Sequence, residues 1–155
     1  MPSSQSFQRG GWDPDLPRWN DWELGIRYIC SLHGPAVGIG RVLADILVHP
    51  DSITGDSFLA AAGHLEKSLM AALAFAATLP DSRQHHLHRL IAYKTAILAA
   101  LYTREGDPEL GRKTLRTALD LLPDTACRHI LKCVYAYTCR GLRGADRWAI
   151  PLIVH

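Results

Sequence analysis

The C-terminal half of the chain is divided into helix-length segments by three breaks. Leu79-Pro80-Asp81 and Leu122-Pro123-Asp124 repeat the same three residues, and Gly106-Asp107-Pro108 lies between them. Proline cannot donate a hydrogen bond inside a helix, glycine favours the left-handed exit from one, and aspartate caps the start of the next. The breaks therefore predict helices over about residues 81–104, 108–122 and 125–142. Asp81 is the expected N-cap of the first of these, with Gln84 at the reciprocal capping-box position.

Apolar residues at three- and four-residue spacing predict three further helices upstream. These span about residues 18–33, 36–49 and 57–78. The third includes Gly63 and is nearly apolar all round over residues 69–79. We expect that segment to be the central, most buried element.

The predicted fold is all-α, because no segment shows the sustained alternation of a β-strand. A chain of 155 residues, about half of them apolar, favours one domain of about six helices with antiparallel hairpins in its C-terminal half. Residues 1–17, rich in Ser, Gly, Pro and Gln, are predicted to be a flexible arm, and residues 18–147 the helical domain. Residues 148–155 form an apolar, β-prone tail, although Pro151 argues against a central strand. We expect the tail to dock in a groove, either its own or a partner's.

Composition favours a soluble, cytoplasmic protein without metal or cofactor. The N-terminus lacks the basic start and apolar run of a signal peptide, and the longest charge-free apolar stretch in a helix, residues 68–80, is too short to span a bilayer. The four cysteines, at positions 30, 127, 133 and 139, form no CxxC pair. We expect them to be reduced, buried thiols.

Charge is distributed unevenly along the chain. Residues 1–81 carry five basic and nine acidic side chains, a net −4, and residues 82–155 carry twelve and six, a net +6. The basic half either matches the acidic half internally, which we favour, or forms a face for an acidic partner or nucleic acid. The candidate phosphate-binding residues lie on its last predicted helices: Arg112, Arg116, Arg128, Lys132 and Arg140.

Residues 92–125 resemble a tetratricopeptide repeat, a helical hairpin of about 34 residues. Leu98, Ala99 and Tyr102 match the large, small and aromatic positions of its first helix; Gly111, Leu115 and Ala118 match the second helix; Gly106-Asp107 matches the turn and Pro123 the closing proline. Thr95 departs from the pattern, which has Trp there.

This resemblance implies a binding scaffold that takes a peptide in the concave face of its first helices. The matching positions here are Tyr93, Ala96, Ala100, Thr103 and Arg104. Arg104 would hold a carboxylate. The alternative is that the alanines make close helix–helix contacts, and we favour it.

A second resemblance rests on Arg83 and His88, whose Arg-x4-His spacing is similar to the motif of the HEPN ribonucleases. In that family the His moves protons and the Arg stabilises phosphate charge, across a dimer. His85, His86 and His88 are also clustered, but neighbouring helix residues point about 100° apart. A solvated, basic helix start is therefore the favoured interpretation over a metal site.

The sequence favours a non-catalytic helical adaptor or assembly subunit that binds another protein or itself, as a homo-oligomer. Its candidate partner-binding residues are Tyr93, Thr103, Arg104, Trp148 and Leu152. The alternative is a small basic subunit that binds the RNA or DNA backbone, and the third hypothesis is a HEPN-like, metal-independent ribonuclease. Enzymatic activity stays open, and no catalytic residue is predicted outside that third hypothesis.

Overall fold

The protein is all-α in the residues that the computed structural model describes, 11–31 and 57–154. The first ten residues of the predicted arm and the predicted helix 36–49 lie outside them. The chain divides into two compact units, Met1–Ser68 and Leu69–His155. The described helices are α1 Asn20–Ser31, α2 His64–Ala76, α3 Asp81–Arg104, α4 Pro108–Asp120, α5 Thr125–Cys139 and α6 Ala145–Val154.

An ion pair organises the N-terminal unit. The guanidinium of Arg27 donates two hydrogen bonds to the buried carboxylate of Glu23, at 2.7 and 2.9 Å, and a third to the carbonyl of Gly11, at 3.0 Å. The two side chains lie one turn apart on α1, so their contact supports the helix. Residues 11–17 of the predicted arm are thereby tied to α1, and Leu16 among them is buried.

Helix α2 begins seven residues later than the predicted start at Ser57, and the prediction that Gly63 lies inside the helix is wrong. Gly63 has a φ of 82°, which interrupts a right-handed helix, and its N–H donates to the Glu66 carboxylate three residues on. This is half of a capping box, and it starts the helix at His64.

The prediction that residues 69–79 form the central, most buried element is also wrong, because one side of this segment is exposed. Leu65, Leu69, Ala72 and Ala76 are buried and follow one another at helical spacing, but Met70 is 61% exposed. The segment is a one-sided, amphipathic helix, since Ala74 and Ala77 are exposed as well.

In the C-terminal unit α3 is the central helix, because it packs against α4, α5 and α6. Its first residue is Asp81, which follows Pro80 and makes no side-chain capping hydrogen bond, so the predicted Asp81 cap is wrong. The two later caps are confirmed. The Asp107 carboxylate accepts the N–H of Leu110 at 2.8 Å, and that of Asp124 accepts the N–H of Ala126 at 2.7 Å.

The predicted C-terminal tail continues a helix that begins at Ala145. Ala145, Ala149 and Ile153 lie on one face of α6 and are buried in the same cluster as Leu131 of α5. Pro151 lies on the exposed side of this helix. The tail therefore docks against its own chain, and it does so as a helix because helical spacing aligns its buried residues.

The contact between α3 and α4 depends on Gly111. A Cβ at this position would lie 2.0 Å from Oγ1 of Thr103 and 2.7 Å from the Ala99 carbonyl oxygen. Both distances are far inside van der Waals contact, so only glycine allows this separation of the two helices.

We expect Gly111→Ala to lower the free energy of unfolding by about 1–3 kcal/mol, because overpacking outweighs the better helix propensity of alanine. Gly25→Ala in α1 is the matched control, since nothing lies within 4 Å of a Cβ there. It should raise stability by about 0.5–1 kcal/mol. Urea denaturation followed by circular dichroism measures both. A Gly111→Ala variant as stable as Gly25→Ala would contradict the close contact.

The Asp124 cap predicts that the stability of the fold depends on pH. The Ala126 N–H, followed by the Cys127 thiol, lowers the pKa of Asp124 below its ordinary value of 3.8. Because the folded pKa is the lower one, the stability that this carboxylate contributes is present above the unfolded pKa and is lost as the pH falls through the folded pKa. Asp124→Asn keeps an acceptor oxygen but does not titrate, so we expect it to flatten the acid-side fall in Tm below about pH 4. Asp81→Asn, which removes no side-chain cap, should leave that fall as it is.

Candidate functional site

The predicted peptide-binding face of α3 is largely covered by α5. Ala96 and Ala100 are fully buried, and the Cys139 thiol of α5 lies 4.0 Å from the Ala100 carbonyl oxygen. The hydroxyl of Thr103 is hydrogen-bonded to that of Tyr135 on α5, at 2.9 Å. These alanines make the close helix–helix contacts that we favoured in the sequence, and they do not line an open groove.

The other two residues of this face keep some exposure. Tyr93 is half-buried against the core, and burial, followed by the charge of Asp146, raises the pKa of its phenol. Arg104 is exposed at the end of α3, where a Cβ on Gly141 would lie 3.7 Å from its guanidinium. Of the predicted set on α3, Arg104 is the most accessible side chain.

An apolar surface lies on the outer side of α5 and α6. The rings of Tyr137 and Trp148 meet edge to face, with their centroids 5.9 Å apart, and both side chains are half-buried. Leu152 follows Trp148 by one turn and is 59% exposed. Ile130 and Cys133 precede Tyr137 on the same side of α5. We define these five residues as the α5–α6 surface: Ile130, Cys133, Tyr137, Trp148 and Leu152.

The hydroxyl of Tyr137 holds this surface in place. It donates a hydrogen bond of 3.0 Å to the carbonyl of Arg143, in the connection between α5 and α6. The same side chain thus contacts Trp148 through its ring and orders the connection through its oxygen. Trp148 and Leu152 are candidates that the sequence indicates, whereas no local pattern indicates the contact of Tyr137 with Trp148.

The five predicted phosphate-binding residues do not form one site. Arg112 and Arg116 line a depression of about 540 Å³ along the first turns of α4, together with Lys113 but also with the carboxylates of Asp107 and Glu109. A phosphate there would meet both signs of charge.

The remaining three lie on α5. Arg128 forms an exposed ion pair with Asp120, at 3.4 Å, whereas Lys132 and Arg140 are exposed. A four-residue step turns a helix by about 40°, so Arg128 and Arg140 point in directions about 120° apart. An exposed pair such as Arg128–Asp120 contributes about 0–1 kcal/mol.

Two histidine rings at the start of α3 contact backbone carbonyls of the same helix. Nδ1 of His85 lies 2.9 Å from the Asp81 carbonyl oxygen, and Nδ1 of His86 lies 2.6 Å from that of Ser82. Arg83 is exposed and His88 is half-buried, and their five-residue separation turns them about 140° apart on the helix. Within residues 11–31 and 57–154, no three His, Cys, Asp or Glu side chains are placed to hold a metal ion.

The cysteines are free thiols, but the prediction that they are all buried is wrong. Cys127 is buried in the core, and burial, followed by the charge of Asp124, raises the pKa of its thiol. Cys133 is exposed, whereas Cys30 and Cys139 are half-buried. The six-residue spacing accounts for the difference, since it turns successive thiols about 240° around α5.

Comparison of this chain with protein-family models, with curated proteins and with solved structures finds no match. The tetratricopeptide and HEPN resemblances therefore stay predictions. Among the helices described above, none is long and apolar enough to cross a membrane.

Thiol reactivity checks the orientation of α5. We expect Cys133 to react fastest with an aromatic disulfide reagent at about pH 8, because it is accessible, and Cys127 to react slowly, because it is buried and its pKa is raised. Cys133→Ser should remove the fast phase, and Cys127→Ser should leave it. The reverse result would mean that α5 presents a different face to solvent.

Proposed function

We propose that this chain is a non-catalytic helical adaptor or assembly subunit of the cytoplasm that binds a protein, in the first instance a second copy of itself, through the α5–α6 surface. The observation that carries the proposal is the exposure of Leu152 on a helix whose other residues anchor it in the core. Ala145, Ala149 and Ile153 fix α6 in the core, and Leu152 is then 59% exposed beside Trp148.

The composition of this surface supports association. Aromatic side chains surrounded by a polar rim are the usual centres of protein interfaces. Here Trp148 and Tyr137 form the centre. Two exposed arginines are their polar neighbours: Arg147 precedes Trp148, and the carbonyl of Arg143 accepts the Tyr137 hydroxyl. Complete burial of a leucine side chain stabilises a complex by about 1.5–3 kcal/mol, so Leu152 offers a large part of what a weak dimer needs.

The resemblance of residues 92–125 to a tetratricopeptide repeat agrees with a binding role. Its small-residue positions Ala99, Gly111 and Ala118 are all buried at helix contacts. Because α5 covers the matching concave face, we place binding on the outer side of α5 and α6 instead.

Light scattering of the full chain over a range of concentrations tests the proposal. We expect a discrete oligomer, and we expect Leu152→Asp to weaken association by about tenfold or more, because it places a charge where an apolar side chain is buried. Leu90→Asp is the matched control, since Leu90 is an exposed leucine of α3 outside this surface. A monomeric wild type, or equal loss of association in both variants, would contradict it.

A second candidate function is binding to the phosphate backbone of RNA or DNA, which the exposed Arg112, Lys113 and Arg116 of α4 favour. Scattering with added RNA at low and moderate salt separates the two functions. If the chain is a protein-binding adaptor, the mass measured by scattering should not change when RNA is added. Phosphate binding predicts a gain in mass that falls with salt and disappears in Arg112→Glu/Arg116→Glu.

A further inference from the structure

The N-terminal unit contains an aromatic cavity that neither the adaptor function nor the phosphate alternative uses. Its volume is about 400 Å³, within the range of small-molecule sites. Residues 12–21, which lie before α1 and in its first turn, form one side of it, and residues 57–65 form the other. Its apolar lining consists of Trp12, Pro17, Trp19, Phe58, Ala61 and Leu65.

Trp19 is held in a backbone conformation that tryptophan rarely adopts. Its φ is 53°, in the left-handed region, where a bulky side chain is strained. Its carbonyl accepts the N–H of Glu23 at 3.0 Å, and its ring meets Trp22 edge to face with 6.1 Å between centroids. Trp19 is one wall of the cavity.

Trp12 is a second wall and is 59% exposed. A tryptophan that packed only for stability would be mostly buried, so its exposure leaves an indole surface available to a ligand. The faces of indole and benzene rings carry negative electrostatic potential, which attracts cations most strongly at tryptophan. Trp12, Trp19 and Phe58 supply three such rings around one volume.

The described part of this unit carries a net negative charge. Asp21 lines the cavity and is exposed. The described residues up to Ser68 contain five carboxylates and three basic side chains, a net −2. Arg18 is the one basic residue in the described lining, and its carbonyl accepts the Ser68 hydroxyl.

We propose that this cavity binds a quaternary ammonium group. Such a group is large and weakly hydrated, so it gives up water readily to contact aromatic faces while Asp21 balances its charge. Two sources present this chemistry, a free small molecule of the choline type and a trimethylated lysine side chain of a peptide. Both would place the same trimethylammonium head among the rings.

Titration of the full chain by calorimetry tests the proposal with a matched pair of ligands. Choline carries the ammonium, and 3,3-dimethylbutan-1-ol has the same shape without the charge. We expect choline to bind about tenfold or more tightly than the neutral alcohol. Equal binding of the two, or no binding of choline, would overturn the proposal.

Substitutions of cavity residues show whether choline binds in this cavity. Trp12→Ala should lower the affinity for choline by about tenfold, and Tyr28→Ala, which removes an equally exposed aromatic outside the cavity, should leave it unchanged. Asp21→Asn should lower the affinity for choline and not that for the alcohol. If choline binding survives Trp12→Ala, the cavity is not its site; circular dichroism confirms that the variant is folded.

Binding of a peptide with one trimethyllysine, compared with binding of the same peptide without the methyl groups, shows which kind of ligand the cavity takes. Tighter binding of the methylated peptide than of choline assigns the site to a protein ligand, and the reverse assigns it to a free molecule. The association measured by light scattering should not respond to Trp12→Ala. The two proposals can therefore be tested separately: a result that contradicts ligand binding in the cavity does not contradict the adaptor function, and the reverse also holds.

Discussion

The C-terminal unit depends on the close approach of α3 and α4 at Gly111. Because position 111 has no Cβ, the backbone of α4 lies against Thr103 and the Ala99 carbonyl. Ala118 of the same helix lies in the core. The two helices are packed closely together, and α5 packs against both of them.

Small residues also allow α5 and α6 to pack closely. Ala96 and Ala100 allow α5 to lie close to α3, and Ala145 and Ala149 allow α6 to pack into the same cluster. Alanine contacts bury little apolar area each, so the larger side chains such as Leu131 and Ile153 fill the centre. Tyr137 and Trp148 are too large for these close contacts and remain at the margin. The α5–α6 surface is thus a consequence of how the core is packed.

The N-terminal unit is organised differently. A buried carboxylate, Glu23, is satisfied by Arg27, whose guanidinium also holds the carbonyl of Gly11. The hydrogen bond from Arg27 to the Gly11 carbonyl ties the segment before α1 to that helix. Trp12 and Trp19 belong to that segment, which explains how aromatic rings are presented to solvent around a cavity. The two proposals therefore concern different units and different chemistry.

The amino-acid sequence by itself determined the helical character and the first residues of α4 and α5. Asp107, Pro108 and Asp124 act on backbone groups within three residues, so their effect can be read locally. The sequence also indicated Trp148 and Leu152 as surface candidates. It did not indicate the cavity, because its walls come from segments about 40 residues apart with no shared motif.

Other features of the fold were decided only by the tertiary structure. The helical state of residues 145–154 and the burial of Ala96 and Ala100 depend on contacts with distant residues. A stripe of alanines looks the same in sequence whether a groove or a neighbouring helix faces it. The difference is made by which helix packs there, and that choice rests on the combined fit of side chains from α3, α5 and α6.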